Sequence, residues 1–354
     1  MIWITGSYFI DVDRQIVPYI RKKYQVDIRW IIMQVPGSAK VPPHRDYEIM
    51  TLHHRGKDPR CYFEVDNYLA KTNVTDYELI YSDSLGLMYY TALLHRAKKI
   101  PVIHAAHNVN PYPVWPLSLR IEVKYIFHRC HHFQMFSLHT AHWFQSHYPR
   151  KSFFYAPMAL KDFGPARTDH FRFNPTKTNL LFFGNVVANK RLDLLIRAVR
   201  ALPEDVASKV HLHICGKCAD KDFYQQLIGN APNITATFRR IDDEEIPELF
   251  TKSDFLMLPY EDVAQSGPHM IAYNYHLPVI ASNIDGFAER VVSGENGFLF
   301  KRNDLKDLVD TIVKASQLDA AEYAGIQSNL ERYVRENFSI DVIAAQYYHY
   351  FQKI

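Results

Sequence analysis

The chain has 354 residues, of which 47% are hydrophobic, 22% charged and 14% aromatic. That length and mix bury a large core, suggest two domains, and exclude a disordered or fibrous protein. The net charge of +3 hides an asymmetry: residues 1–177 hold 23 Lys and Arg against 14 Asp and Glu, and residues 178–354 hold 18 against 24. Such a split suggests two domains with different partners, the first facing something anionic, with uneven solvation as the plainer alternative. Nothing approaches the roughly 18 apolar residues of a membrane span. The start, MIWITGSYFIDVDRQ, lacks a basic region and meets Asp11 and Asp13 too early for a signal peptide. Four cysteines make no disulfide scaffold, so the expected setting is a reducing cytoplasm.

In chain order, MIWIT opens as a short buried strand, and residues 26–35 (VDIRWIIMQV) read as another. Residues 77–83 (YELIYSD) and 100–107 (IPVIHAAH) are apolar runs of strand length with polar ends, separated by SLGLMYYTALLHRAKK, a helix with a basic last turn. Strand, helix, strand means parallel pairing with right-handed crossovers. Residues 161–178, with two prolines and a glycine, read as a linker. Beyond it, residues 179–185, 209–216, 254–260, 277–282 and 297–300 are further strands with helical stretches between them. The last segment is a helix with Ser339 as N-cap and with Ile340, Ile343, Tyr347 and Phe351 on one face.

Glycine is scarce, 13 in all, and eight of these lie from Gly184 onward, several at strand ends. Open parallel sheets bind ligands at those ends, where helix N-termini point free N–H groups at anions. No GxGxxG and no GxxxxGK[ST] follows a strand, which disfavours a dinucleotide fingerprint and a P-loop. Phosphate binding by helix ends plus a basic side chain remains. Lys190–Arg191, opening a helix after Gly184, is one such place, and Gln265-Ser266-Gly267-Pro268 is a second helix entry. Solvated charges and an ordinary serine cap are the plain readings of these two.

These pieces arrive in an order that resembles the donor half of retaining GT-B glycosyltransferases, in particular the large family 4. The resemblance covers about 170 residues: FGNVVANKRLDLLIRA, the ICG strand end, DDEEIPELFTKSDFLMLPY, QSGPHMIAY, HLPVIASNIDGFAE, GENGFLF and the tail FSIDVIAAQYY. It implies two Rossmann-like doubly wound α/β domains facing across a cleft. The boundaries would be 1–165 for an acceptor domain, 166–178 for a linker, 179–337 for a nucleotide-sugar domain and 338–354 for a helix returning to the first domain. It implies a sugar moved from a nucleotide-sugar, with UDP favoured over GDP, to a hydroxyl of a glycan or lipid-linked acceptor in cell-surface polysaccharide synthesis, without a cofactor or metal.

Carried over residue by residue, the family's basic pair on the diphosphate falls on Asn185 and Lys190, with Arg191 able to substitute for the missing arginine. Its paired glutamates fall on Val263 and Ile271, so both are absent, and Gln265, Ser266 and the Gly267 amide take over contacts to sugar and phosphate. Gly184, Gly216 and Arg239 complete the donor side. In the first half, Gly6 lets the chain approach the diphosphate, and His107 matches the histidine that faces the sugar. With Lys190 it is the expected catalytic group, ahead of His104.

The stretch 113–155 interleaves Arg120, Lys124 and Arg129 with aromatic residues around a single acid, Glu122. It is expected to dock the first domain on an anionic membrane face, at the cytoplasmic leaflet. Its histidines 128, 131, 132, 139 and 142 lack a punctuating carboxylate and read as surface rather than a metal site. Cys215 and Cys218 form a single CxxC without a second ligand pair. A silent binding subunit, an epimerase or phosphorylase, and a nucleic-acid binder are the competing functions. No nucleic-acid motif accompanies the basic half.

Overall fold

The apolar run Ile-Trp-Ile-Thr-Gly folds as a strand buried along its whole length, β1 (Ile2–Gly6). A strand covered on both faces by helices has no polar side to show, which is why the run reads as continuously apolar. The computed structural model describes residues 1–107, 109, 116–165, 174, 176–263 and 265–354. Around β1 the first sheet adds β2 (Arg29–Gln34), β3 (Glu48–Thr51), β4 (Ile80–Asp83), β5 (Val102–Ala106), β6 (His132–Met135) and β7 (Ser152–Tyr155). The order is β3-β2-β1-β4-β5-β6-β7, every pair parallel. The chain winds outward from β1 in both directions, so its switch point lies between β1 and β4.

A second sheet holds β8 (Thr178–Phe183), β9 (Val210–Cys215), β10 (Ile234–Thr237), β11 (Phe255–Leu258), β12 (Val279–Ser282) and β13 (Gly297–Phe300). Its order is β10-β9-β8-β11-β12-β13, again all parallel, with the switch point between β8 and β11. Two Rossmann-like α/β units result. The first comprises Met1–Ala159 with Ser339–Ile354, the second Leu160–Phe338. Most of the expected linker, 166–173 and 175, lies outside the described residues, and Thr178 already opens β8.

Within the first unit the C-terminal helix Ile340–Phe351 buries Ile343, Ala344, Tyr347 and Tyr350. Tyr347 stacks on Trp3 at 5.3 Å, and Tyr350 on Phe154 at 4.6 Å. Ser339 caps it by accepting from the Val342 N–H, and Asp341 pairs with Lys23 of the Ile10–Tyr24 helix.

Three expectations change. The strand read over 26–35 begins only at Arg29. Strands β3, β6, β7 and β10 are not legible as apolar runs, each having half-buried or exposed positions. Residues 113–115 lie outside the described residues, and among the described residues of 113–155 the aromatic side chains are not a surface belt: Phe127, Phe133, Phe136 and Phe144 are essentially fully buried, and Phe127, Phe133 and Phe144 form edge-to-face and tilted pairs. Glu122 is buried with them and accepts the backbone N–H groups of Gly86 and Leu87, so the lone acid of the basic stretch serves as a tertiary cap on the Leu87–Ala97 helix.

Candidate functional site

In the second unit the neighbouring strands β8 and β9 end in glycines held against each other. Gly184 follows β8 with φ +104°, and Gly216 follows β9 with φ +153°. A side chain on Gly216 would begin 2.0 Å from the Gly184 carbonyl oxygen, so neither the dihedral angle nor the space admits another residue. The Gly184 N–H donates to the Cys215 carbonyl at 2.9 Å and fixes the turn.

The turn delivers Lys190. Its residues Ala188–Lys190 form one 3₁₀ turn, Arg191 follows at φ 49°, and the helix Leu192–Arg200 begins. The half-buried Lys190 ammonium lies 5.4 Å over the Tyr260 ring. It sits 2.9 Å from where a Gly184 side chain would start. Burial pulls its pKa down to about 8, and no carboxylate pairs with it among the described residues. A cation kept dry and uncompensated is poised for an anion.

Ser266 opens the helix Gly267–Asn274, its Oγ accepting the His269 N–H at 3.3 Å, with Pro268 in the first turn. The serine is thus the ordinary cap, in a place where it also borders the lysine: Cγ of Pro268 is 3.5 Å from the same Gly184 point that Lys190 approaches. Half-buried Gln265 precedes it. Val263 and Ile271, which stand where the resemblance expects glutamates, are apolar structure, Ile271 lying in the core of this unit.

Two expected arginines are engaged elsewhere. Arg191 grips Asp193 with Nε and Nη2 at 3.1 and 3.2 Å. Arg239 makes a two-pronged pair with Glu245, both contacts 2.7 Å. Asn185 is exposed on the same turn as Lys190. Cys215 and Cys218 are buried free thiols, and burial pushes Cys215 up to about 12.

In the first unit Gly6 and Asp83 end the two strands that flank the switch point. A side chain on Gly6 would begin 3.1 Å from the Asp83 carbonyl oxygen. His107 follows β5. Its Nε2 lies 2.6 Å from Asp83 Oδ1, and its ring is sandwiched between Phe9 at 4.0 Å and Phe136 at 4.4 Å. The carboxylate accepts the Nε2 proton, so Nδ1 is left for a ligand. Asp13, also buried, accepts from Trp3 Nε1 at 2.8 Å and Thr5 Oγ1 at 2.5 Å. Burial and the neighbouring Asp83 raise its pKa well above the usual carboxylate range. His104 is core instead: it is fully buried, bonded to the Tyr90 hydroxyl, and pushed down to about 3 by burial.

Sequence reasoning missed Asp83 and Asp13. The signal for Asp83 was there, an acid closing an apolar strand, but its partner histidine is 24 residues away and only the sheet brings them together. Arg120, Lys124 and Arg129 are exposed along the helix Leu117–Arg129, together with Leu117 and Ile121.

Residues 177–317 match the family model for glycosyl transferases group 1. An uncharacterized glycosyltransferase of Methanocaldococcus jannaschii, MJ1069, is 25% identical over 180 residues, covering 50% of this chain and 46% of that protein. The chain thus spans about half the length of the curated relative it matches. Among solved structures, Anabaena Alr3699/HepE in complex with UDP and glucose has a TM-score of 0.73 at 15% identity, covering 100% of this chain and 99% of that one. The sucrose-phosphate synthase of Thermosynechococcus elongatus has a TM-score of 0.77 at 15% identity, covering 99% and 98%. At these identities the likeness is one of fold.

Proposed function

We propose that this chain, whose residues 177–317 match the family model for glycosyl transferases group 1, moves a sugar from a nucleotide-sugar to a hydroxyl of a glycan or lipid-linked acceptor. The observation that carries this is Lys190: a desolvated ammonium with no carboxylate paired to it among the described residues, beside two glycine turns and the first turn of a helix, at the carboxyl ends of β8 and β9. Such a place suits a diphosphate leaving group. The UDP and glucose bound by the Anabaena protein favour a UDP-sugar over a GDP-sugar.

The reaction breaks the bond from the anomeric carbon to the diphosphate oxygen and forms one to the acceptor oxygen. Lys190 and the Gly267 helix start stabilise the charge that grows on the departing diphosphate. We assign retention of configuration: the acceptor attacks from the leaving-group face, and its proton passes to the departing oxygen. His107, held by Asp83 and two phenyl rings, orients the sugar through Nδ1. Protein cations carry the charge, so a metal is not required. The exposed Arg120, Lys124 and Arg129 support a cytoplasmic enzyme docked on an anionic membrane face, where a lipid-linked acceptor for surface polysaccharide is presented.

Calorimetric titration with UDP, GDP and ADP tests the donor, with UDP expected to bind most tightly. Proton NMR of the product from UDP-glucose and a model acceptor then reads the anomeric configuration, with and without EDTA. Binding without turnover of any donor sugar would identify a silent subunit instead; a GDP preference, an inverted product or loss of activity in EDTA would each overturn the corresponding part.

A further inference from the structure

The first sheet ends in β7, which pairs with β6 on one side and, among the described residues, with no strand on the other. The Ser152 N–H donates to the His131 carbonyl at 2.9 Å and the Ala156 N–H to the Met135 carbonyl at 3.0 Å. Backbone groups alternate in direction along a strand, so the N–H and carbonyl of Phe153 point away from β6. Beside this open edge lies a cavity of about 470 Å³, walled on its far side by the helix Ile340–Phe351. Tyr350 fixes its width: the ring stacks on Phe154 at 4.6 Å and the hydroxyl bonds His132 Nδ1 at 3.1 Å. His132 and Ser152 open β6 and β7, so the cavity lies toward the amino ends of the strands, the end opposite to His107.

Tyrosine aside, the ionisable side chains that line the cavity are all basic: His132, Lys151, His349 and Lys353. No side-chain carboxylate lines it among the described residues. Lys151 is committed to the His128 and Cys130 carbonyls at 2.9 and 2.6 Å, which hold the ammonium in place without neutralising it. His349 and Lys353 are exposed on the helix side. The plain reading is an edge guarded by charge, as short edge strands commonly are. That reading does not account for a preformed cavity whose basic groups converge from β6, the β7 entry and the helix.

The charge decides the occupant. A second copy pairing edge to edge about a two-fold axis would set these cations against their own equivalents. A segment with acidic side chains meets complementary charge, and its backbone meets the open edge. We propose that the β7 edge and this cavity form a docking surface for an extended acidic segment of a partner protein. The segment adds a strand beside β7 and sets its carboxylates against Lys151, His349 and Lys353.

Fluorescence anisotropy of the full chain tests this with labelled peptides: alternating Glu and Val, alternating Lys and Val, and the Glu–Val peptide with every amide N-methylated. The Glu–Val peptide should bind, less tightly as salt is raised, and the Lys–Val peptide should not. N-methylation removes the donors of the added strand and should weaken binding roughly tenfold or more. His349→Glu with Lys353→Glu should weaken it roughly fivefold or more at an unchanged unfolding temperature. Should that pair lower the unfolding temperature, His349→Gln with Lys353→Gln takes its place, with a smaller loss expected. Equal affinity for the N-methylated peptide would mean attraction by charge alone, and wild-type affinity in the variants would place the peptide elsewhere. Either result overturns the proposal, as does a Glu–Val peptide that fails to bind. A dimer in sedimentation that excludes the peptide would assign the edge to a second copy and overturn it too.

Discussion

Lys190 shows how a single side chain can set a pH dependence. Its pKa of about 8 follows from burial, with no compensating carboxylate among the described residues. A bound diphosphate favours the ammonium and so raises that pKa. Below pH 8 the lysine is already mostly charged and affinity is insensitive to its titration. Above pH 8 the complex must take up a proton on binding, and affinity falls by up to about tenfold per pH unit. Titrating UDP between pH 7 and pH 10 should therefore give a flat region followed by a decline, and Lys190→Arg, which stays charged, should lose the decline. In turnover, Lys190→Ala should cost roughly 2–4 kcal/mol of transition-state stabilisation. A decline of the same steepness in the arginine variant would assign the titration to another group.

At the scale of elements, legibility followed burial. Strands β1, β4, β5, β11 and β12 are buried at every position, so their apolar runs stand out. Edge strands β3, β7 and β10 expose half or more of their residues in part or whole, and β6 is preceded by His131 and opened by His132, which masked it. The turn bearing Lys190 and the Ser266 cap were readable because glycine, lysine and serine announce themselves locally. Asp83 beneath His107 and the capping role of Glu122 were not, because each is a contact between distant segments. The last of these has a measurable consequence. Removing the Glu122 carboxylate leaves the Gly86 and Leu87 N–H groups without an acceptor in a buried place, at a cost of about 1–3 kcal/mol. Glu122→Ala should lower the urea midpoint of the transition that reports on the first unit, and Glu122→Gln, which keeps an acceptor oxygen, should lower it less. An unchanged midpoint in Glu122→Ala would mean that the cap contributes nothing.

For the whole molecule, the question is what the basic half is for. Residues 1–177 carry a net charge of +9 and residues 178–354 a net −6. Core packing claims Phe127, Phe133, Phe136, Phe144 and Phe154, so a belt of rings at headgroup depth no longer supports membrane docking. The ground shifts to the helix Leu117–Arg129. Leu117 is 70% exposed and Ile121 50% exposed, interspersed with exposed Arg120, Lys124 and Arg129, and Lys57 reaches Ser118 Oγ at 2.7 Å, adding a cation beside the helix start. Among the described residues no helix is long and apolar enough to cross a membrane. A surface of this kind gains about 1 kcal/mol per basic residue near anionic lipid and adds shallow insertion of the two aliphatic side chains. Co-sedimentation with vesicles containing phosphatidylserine should therefore recover the protein in the pellet at low salt and release it at high salt. Replacing Arg120, Lys124 and Arg129 by glutamate should abolish recovery, whereas Leu117→Ser with Ile121→Ser should leave the salt dependence but reduce the bound fraction at each salt concentration. Equal partitioning between neutral and anionic vesicles at low salt would show that the positive charge of this half serves solvation and not a membrane.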